Sequence, residues 1–146
     1  MTTITRSSLL SYTPKQMYDL VNDIEAYSKF LPWCNNSRII SKYGNTIDAS
    51  LDLTQGGICH TFSTSNKLTE DELISIKLID GPFKHLEGHW QFKPIAHDAG
   101  CQVKLYINFT FSNSIISMAL EPIFTQISSS LIHSFCKRAQ DIYDQY

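Results

Sequence analysis

The spacing of apolar positions changes twice along this chain, and the changes divide it into three stretches. The segment TITRSSLL, residues 3–10, reads as a first strand. After it, Met17, Leu20, Val21 and Ile24 follow the i, i+3, i+4, i+7 spacing of one helix face. The start of that helix is written in TPKQ: Thr13 caps, Pro14 takes the first helical position, and Gln16 completes a capping box. A second short helical turn, EAYSKFL, ends before Pro32, because the residue before a proline is pushed out of the helical region.

From Ser37 to Phe111 the period becomes two. Ile47, Ala49, Leu51 and Leu53 alternate with Asp48, Ser50, Asp52 and Thr54. Ile74, Ile76 and Leu78 alternate with Ser75 and Lys77, and Val103, Leu105, Ile107, Phe109 and Phe111 with polar neighbours. Each run is a strand with one dry and one wet face. Turn chemistry at Tyr43-Gly44-Asn45 and Asp98-Ala99-Gly100 implies short connections and an antiparallel meander. Helical spacing then returns: Ile116, Leu120, Ile123, Ile127, Leu131, Phe135 and Ile142 step by three, four or seven. The helix predicted from about Ser114 to Tyr143 is roughly 45 Å long at ~1.5 Å per residue, and Pro122 should kink or restart its first turns. The expected architecture is α+β: a strand, two short helices, about six more strands and one long helix, in one domain over 1–146. A one-sided sheet must cover its dry face, so the sheet is expected to curl around the terminal helix.

Composition narrows the class. The chain has 146 residues, 42% hydrophobic and 18% charged, enough for a sizeable core. Its net charge of −2 offers no global drive toward nucleic acid, and no DNA partner is expected. Cys34, Cys59, Cys101 and Cys136 contain no CxxC pair, which argues against a zinc knuckle and for free thiols in a reducing cytoplasm. The N-terminal MTTITRSS is too polar for a signal peptide, and no apolar run approaches the ~18 residues of a membrane span.

The segment GPFKHLEGHWQF raises the sharpest question of chemistry. His85, Glu87 and His89 share one strand face, a workable spacing for zinc and equally an ordinary solvated face; no metal is expected. The opposite face carries Leu86, Gly88, Trp90 and Phe92, where Gly88 leaves room beside two aromatics and marks either a bulge or a place where something approaches closely. Cys34 has no histidine near in sequence and reads better as a small buried residue than as a nucleophile. His60 shares parity with Ile58 and Phe62, as a core histidine or as the one inward general base. His133 falls off the helix stripe, at the surface or as a polar handle for a ligand head group. Lys137 and Arg138 offset the helix dipole, or form a weak phosphate-binding footprint.

The segments LVNDIEAYSKFLPWCNNSRI and LIDGPFKHLEGHWQF resemble the coenzyme Q-binding START-domain family, whose bacterial branch is the ribosome association toxin RatA or oligoketide cyclase–lipid transport type. The resemblance spans nearly the whole chain and rests on Phe30-Leu31-Pro32-Trp33-Cys34, Asp80-Gly81-Pro82-Phe83 and Trp90-x-Phe92. Ser28 departs from it, where the family often has proline. It implies a helix-grip fold with an apolar cavity for an isoprenoid quinone. Two roles follow from it: a non-enzymatic carrier of ubiquinone or a similar prenyl lipid that supports respiration, or a toxin that binds the large ribosomal subunit and blocks subunit joining. The carrier role implies a cytoplasmic protein that transiently meets the inner membrane surface.

An apolar site needs a concave aliphatic and aromatic lining. The dry strand faces offer Leu51, Leu53, Phe62, Leu78, Trp90, Phe92, Ile107 and Phe109, and the helix offers Leu120, Ile123, Phe124, Ile127 and Leu131. Phe30, Leu31 and Trp33 are placed at its mouth or in a packed corner, and Phe83 beside the Gly81-Pro82 turn, a loop that moves to admit ligand or a plain tight turn. Pattern alone does not separate cavity wall from solid core. No catalytic residue and no cofactor is expected, because the inward faces carry almost no titratable group; a polyketide cyclase-like enzyme is the remaining alternative.

Overall fold

The computed structural model describes residues 1–55, 57–95 and 100–144. Seven strands run β1 (Thr2–Leu10), β2 (Cys34–Tyr43), β3 (Thr46–Gln55), β4 (Ile58–Thr69), β5 (Leu73–Asp80), β6 (Phe83–Pro94) and β7 (Cys101–Phe111). Helix α1 (Pro14–Asn22) and a 3₁₀ helix (Ile24–Lys29) separate β1 from β2, and α2 (Ser114–Tyr143) closes the chain. The strands form one antiparallel sheet in the order β1-β7-β6-β5-β4-β3-β2. Apart from β1, whose partner is β7, every strand pairs with its neighbour in sequence, as short connections dictate. The turn read at Asp98-Ala99-Gly100 falls largely on residues outside the described ones.

Local sequence accounts for the helix starts. The Thr13 hydroxyl accepts from the Gln16 amide at 3.1 Å while the Gln16 side chain accepts from the Thr13 amide at 2.9 Å. These bonds occupy two of the donors that a helix N-terminus otherwise leaves orphaned. Asn113 does the same for α2, accepting from the Ile116 amide at 2.9 Å. Pro122 neither breaks nor restarts α2, which runs as one element through it. A proline removes one backbone donor, and Glu121 beside it is anchored by side-chain bonds from Thr2 and Ser117.

The sheet grips α2 in a helix-grip arrangement, with the dry faces of the strands turned toward the helix. Leu120, Phe124, Ile127, Phe135 and Ala139 of α2 are buried in the same core as Phe62, Trp90, Phe92, Leu105 and Phe109 of the strands. One finding corrects the sequence reading. Serines interrupt any continuous apolar run, yet α2 is long and apolar enough on average to cross a membrane. Its buried stripe is committed to the sheet, and the core helix of a grip passes the same test.

A bulge decides where Phe83 goes. Strict alternation would put Phe83 with His85 and Glu87 on the wet face. The β6–β7 register shifts between Phe83 and His85, and Phe83 is buried instead, stacking on Phe111 at 4.8 Å and meeting Phe124 edge-on at 5.1 Å. Phe109 and Phe62 join the cluster, at 4.8 and 6.1 Å from Phe124. Gly88 makes no bulge, because neither of its ladders shifts there. A Cβ at Gly88 would lie 2.2 Å from the Tyr106 carbonyl oxygen, so the glycine is required for β6 to approach β7 closely.

Candidate functional site

The space between sheet and α2 is neither filled nor large. A hollow of about 90 Å³ remains there. A single water needs ~10–15 Å³ by this measure, and an apolar cavity of ~150 Å³ takes benzene. This hollow therefore admits a ring edge or a short prenyl stretch as it stands, and a longer ligand must part its walls. The helix contributes Phe124, Ile127, Ser128, Leu131 and Phe135. The sheet contributes Ala49 and Leu51 from β3, Phe62, Thr64 and Asn66 from β4, Ile76 from β5, Leu86, Glu87, Gly88 and Trp90 from β6, and Ile107 from β7. Ile24, Tyr27 and Trp33 close it from the segment between β1 and β2. The β5–β6 ladder ends at Lys77–Glu87, beside Ile76 and Gly88, so the hollow meets the sheet where two strands begin to separate.

The lining holds few polar groups. The Tyr27 hydroxyl donates to the Val21 carbonyl, and desolvation raises its pKa, so it stays neutral. Thr64 donates to Asn66 Oδ1 at 3.0 Å. Ser128 is 1% exposed and its Oγ has no hydrogen-bond partner among the described residues. Glu87 is exposed and sits 3.5 Å from His85 Nε2. Among the described residues that border the space, Tyr27 and Glu87 are the ones with titratable side chains.

Of the residues expected to line the site, Trp33, Leu51, Phe62, Trp90, Ile107, Phe124, Ile127 and Leu131 do border the hollow. The others do not border it. Leu31, Leu53, Phe83, Phe92, Phe109 and Leu120 are buried in solid core around it, and Leu78 and Ile123 pack at its margin. Phe30 contacts Phe135 edge-on at 5.2 Å with the Arg138 guanidinium 5.0 Å over its ring. The FLPWC segment is thus a packed corner from which only Trp33 reaches the space. Alternation missed Tyr27, Asn66, Thr64 and Ser128. Parity along β4 carried a signal, since Thr64 and Asn66 continue the Phe62 face.

Other groups singled out by sequence fall elsewhere. His89 stacks on Tyr106 at 5.3 Å on the outer face, and among the described residues no three metal-binding side chains gather. His60 lies half-buried on the inward face of β4, outside the lining. Cys34 is buried, which raises its thiol pKa and disfavours the thiolate a nucleophile needs. Burial pushes Cys101 up to about 11, with the nearby Cys136 adding to the shift. His133 is exposed.

Comparison with known proteins adds relatives to this geometry. The family described as polyketide cyclase / dehydrase and lipid transport matches residues 10–136. The ribosome association toxin RatA of Escherichia coli K12 is 38% identical over 143 residues, covering 98% of this chain and 90% of its own. The mitochondrial coenzyme Q-binding protein COQ10 homolog B of Xenopus laevis is 26% identical over 140 residues, covering 94% of this chain and 57% of its own. Among solved structures, a START superfamily protein from Mycobacterium smegmatis superimposes with a TM-score of 0.77 at 16% identity, covering 96% of this chain and 98% of that one. The Zhui aromatase/cyclase from Streptomyces sp. R1128 gives 0.82 at 14% identity, covering 99% and 98%. At such identities these two likenesses concern the fold, which is START-like.

Proposed function

The chain belongs to the polyketide cyclase / dehydrase and lipid transport family, and on that premise we propose that it binds a prenyl lipid of the ubiquinone class without transforming it, in support of respiration. One observation carries this reading: the hollow between sheet and α2 is walled mainly by aromatic and aliphatic side chains, and the one carboxylate at its border, Glu87, is exposed beside His85 rather than buried as an acid–base group over it. A cyclase requires such a group, and the one ionisable hydroxyl in the wall, Tyr27, is tied to the Val21 carbonyl and held neutral by burial. The cytoplasm is the proposed location, with brief visits to the inner membrane surface where the quinone pool resides. No cofactor is part of the proposal. Lipid extraction of the purified protein followed by mass spectrometry tests it. A bound prenyl quinone at near-stoichiometric yield is expected, and a lipid-free protein that takes up none in vitro refutes it.

A second reading has its own support. Relatives 38% identical over nearly the whole chain include the ribosome association toxin RatA of Escherichia coli K12, whereas the coenzyme Q-binding relative is 26% identical. Binding of the large ribosomal subunit is compatible with a lipid in the hollow, because it would use the outer surface. Sucrose-gradient sedimentation with purified subunits tests it: protein in excess should shift joined ribosomes toward free subunits, and an unchanged profile removes this role.

A further inference from the structure

The buried polar groups of the hollow show a pattern that its apolar walls do not require. Four serines of α2 direct their hydroxyls to acceptors in their own helix. Ser117 donates to Glu121 Oε2 at 3.0 Å, Ser129 to the Thr125 carbonyl at 2.8 Å, Ser130 to the Ile127 carbonyl at 3.0 Å and Ser134 to the Ser130 carbonyl at 3.2 Å. Ser128 does not: it is 1% exposed and its Oγ has no partner among the described residues. On the opposite wall, Asn66 of β4 is 8% exposed. Its Oδ1 accepts from Thr64 at 3.0 Å, so the group it offers a ligand is its amide nitrogen, a donor. Buried polar groups are normally paired, and exceptions call for a missing partner. Both residues border the same hollow.

We propose that Ser128 and Asn66 form a donor pair that receives a neutral carbonyl oxygen of the ligand. The hollow then selects an apolar molecule bearing a quinone- or ketone-type oxygen over a plain prenyl hydrocarbon. Both groups donate, which calls for an acceptor. A carboxylate head would find no compensating cation in the lining, where Glu87 is the one charged residue. Such a head would be buried unpaired, so a fatty acid is disfavoured. The apolar walls hold the body of the ligand, and the pair fixes which end enters. This inference rests on the lipid-binding reading and adds the chemistry of the recognised end.

The test titrates the full chain with ubiquinone-2 and, separately, with β-farnesene, an oxygen-free prenyl hydrocarbon. Fluorescence of Trp33 and Trp90, both in the lining, reports binding. Ser128→Ala is expected to weaken ubiquinone-2 binding by about 3- to 10-fold, as the loss of one ordinary hydrogen bond does, and Ser128→Ala with Asn66→Leu by about 10- to 100-fold. Binding of β-farnesene should stay within about twofold of wild type in both. Ser128→Ala is also expected to leave the melting temperature unchanged or raised, since it removes a hydroxyl with no partner. Should Asn66→Leu fail to fold, Ser128→Ala alone decides. Equal losses for both ligands, or no loss for ubiquinone-2, overturn the donor pair while leaving lipid binding intact. Failure of the wild type to bind either ligand overturns the pair together with the lipid-binding reading.

Discussion

Replacing Ala49 with leucine should make this protein more stable and less able to bind ligand. Ala49 is 2% exposed on β3, pairs with Thr64 of β4, and borders the hollow of about 90 Å³. Leucine adds three carbons that the free space accepts without moving backbone. At ~0.8 kcal/mol per buried methylene the gain approaches ~2.4 kcal/mol. Loss of leucine rotamer freedom removes ~0.5–1 kcal/mol, leaving roughly 1.5 kcal/mol. For a domain of this size ~1 kcal/mol moves the melting temperature by about 2–4 °C, so a rise of about 3–6 °C is expected in a calorimetric or circular-dichroism melt. The same atoms occupy ligand space, and ubiquinone-2 affinity read by tryptophan fluorescence should fall by about tenfold or more. Overpacking of a filled core has the opposite sign, costing ~1–3 kcal/mol. An Ala49→Leu protein that melts several degrees lower and binds ubiquinone-2 as well as wild type would show that the hollow is neither free space nor the site.

Gly88→Ala places a methyl 2.2 Å from the Tyr106 carbonyl oxygen, a backbone atom that cannot rotate away. It should cost about 2–3 kcal/mol, seen as a lower urea midpoint at constant slope, and a change below ~0.5 kcal/mol would contradict the close approach of β6 to β7. Thr13→Ala removes half of a reciprocal capping box and should cost ~1 kcal/mol; α1 is expected to fray, visible as faster amide exchange from Lys15 to Asn22. Asp52 accepts from Thr61 at 2.7 Å and pairs with Arg38, and these partners lower its pKa below the ordinary carboxylate range. A lowered folded-state pKa contributes stability above the unfolded value that is lost as pH falls through the folded one. Asp52→Asn should therefore be less stable than wild type near neutrality by no more than ~1 kcal/mol, and the difference should vanish in acid; a gap that persists at pH 2 refutes the assignment.

Much of this architecture was readable from local spacing because periodicity reports which way a side chain points. The capping box at Thr13 and Gln16, the alternation along β3, β5 and β7, and the long α2 stripe each involve residues only two to seven apart. Such neighbours are held by the backbone itself, so their arrangement survives into the fold. Two irregularities needed more than this logic. The bulge that turns Phe83 inward depends on the β6–β7 register, and the choice at Gly88 between a bulge and a close approach depends on Tyr106, eighteen residues away in sequence.

The sequence by itself determined the elements, their order, the faces of the strands and the apolar character of whatever lies between sheet and helix. It did not determine depth. Leu53 and Leu51 share a face of β3, yet one is packed solid and the other borders open space. That difference arises from how the curved sheet seats against α2, with bulky rings from Phe62, Phe83, Phe109 and Phe124 filling one region and nothing filling the next. The same seating leaves Ser128, a polar residue unremarkable in sequence, with an unmatched hydroxyl at the hollow that Asn66 also borders. Alternation is a one-dimensional rule set by the backbone, whereas a void is the shortfall of many side-chain volumes meeting in three dimensions, and only the assembled fold adds them up.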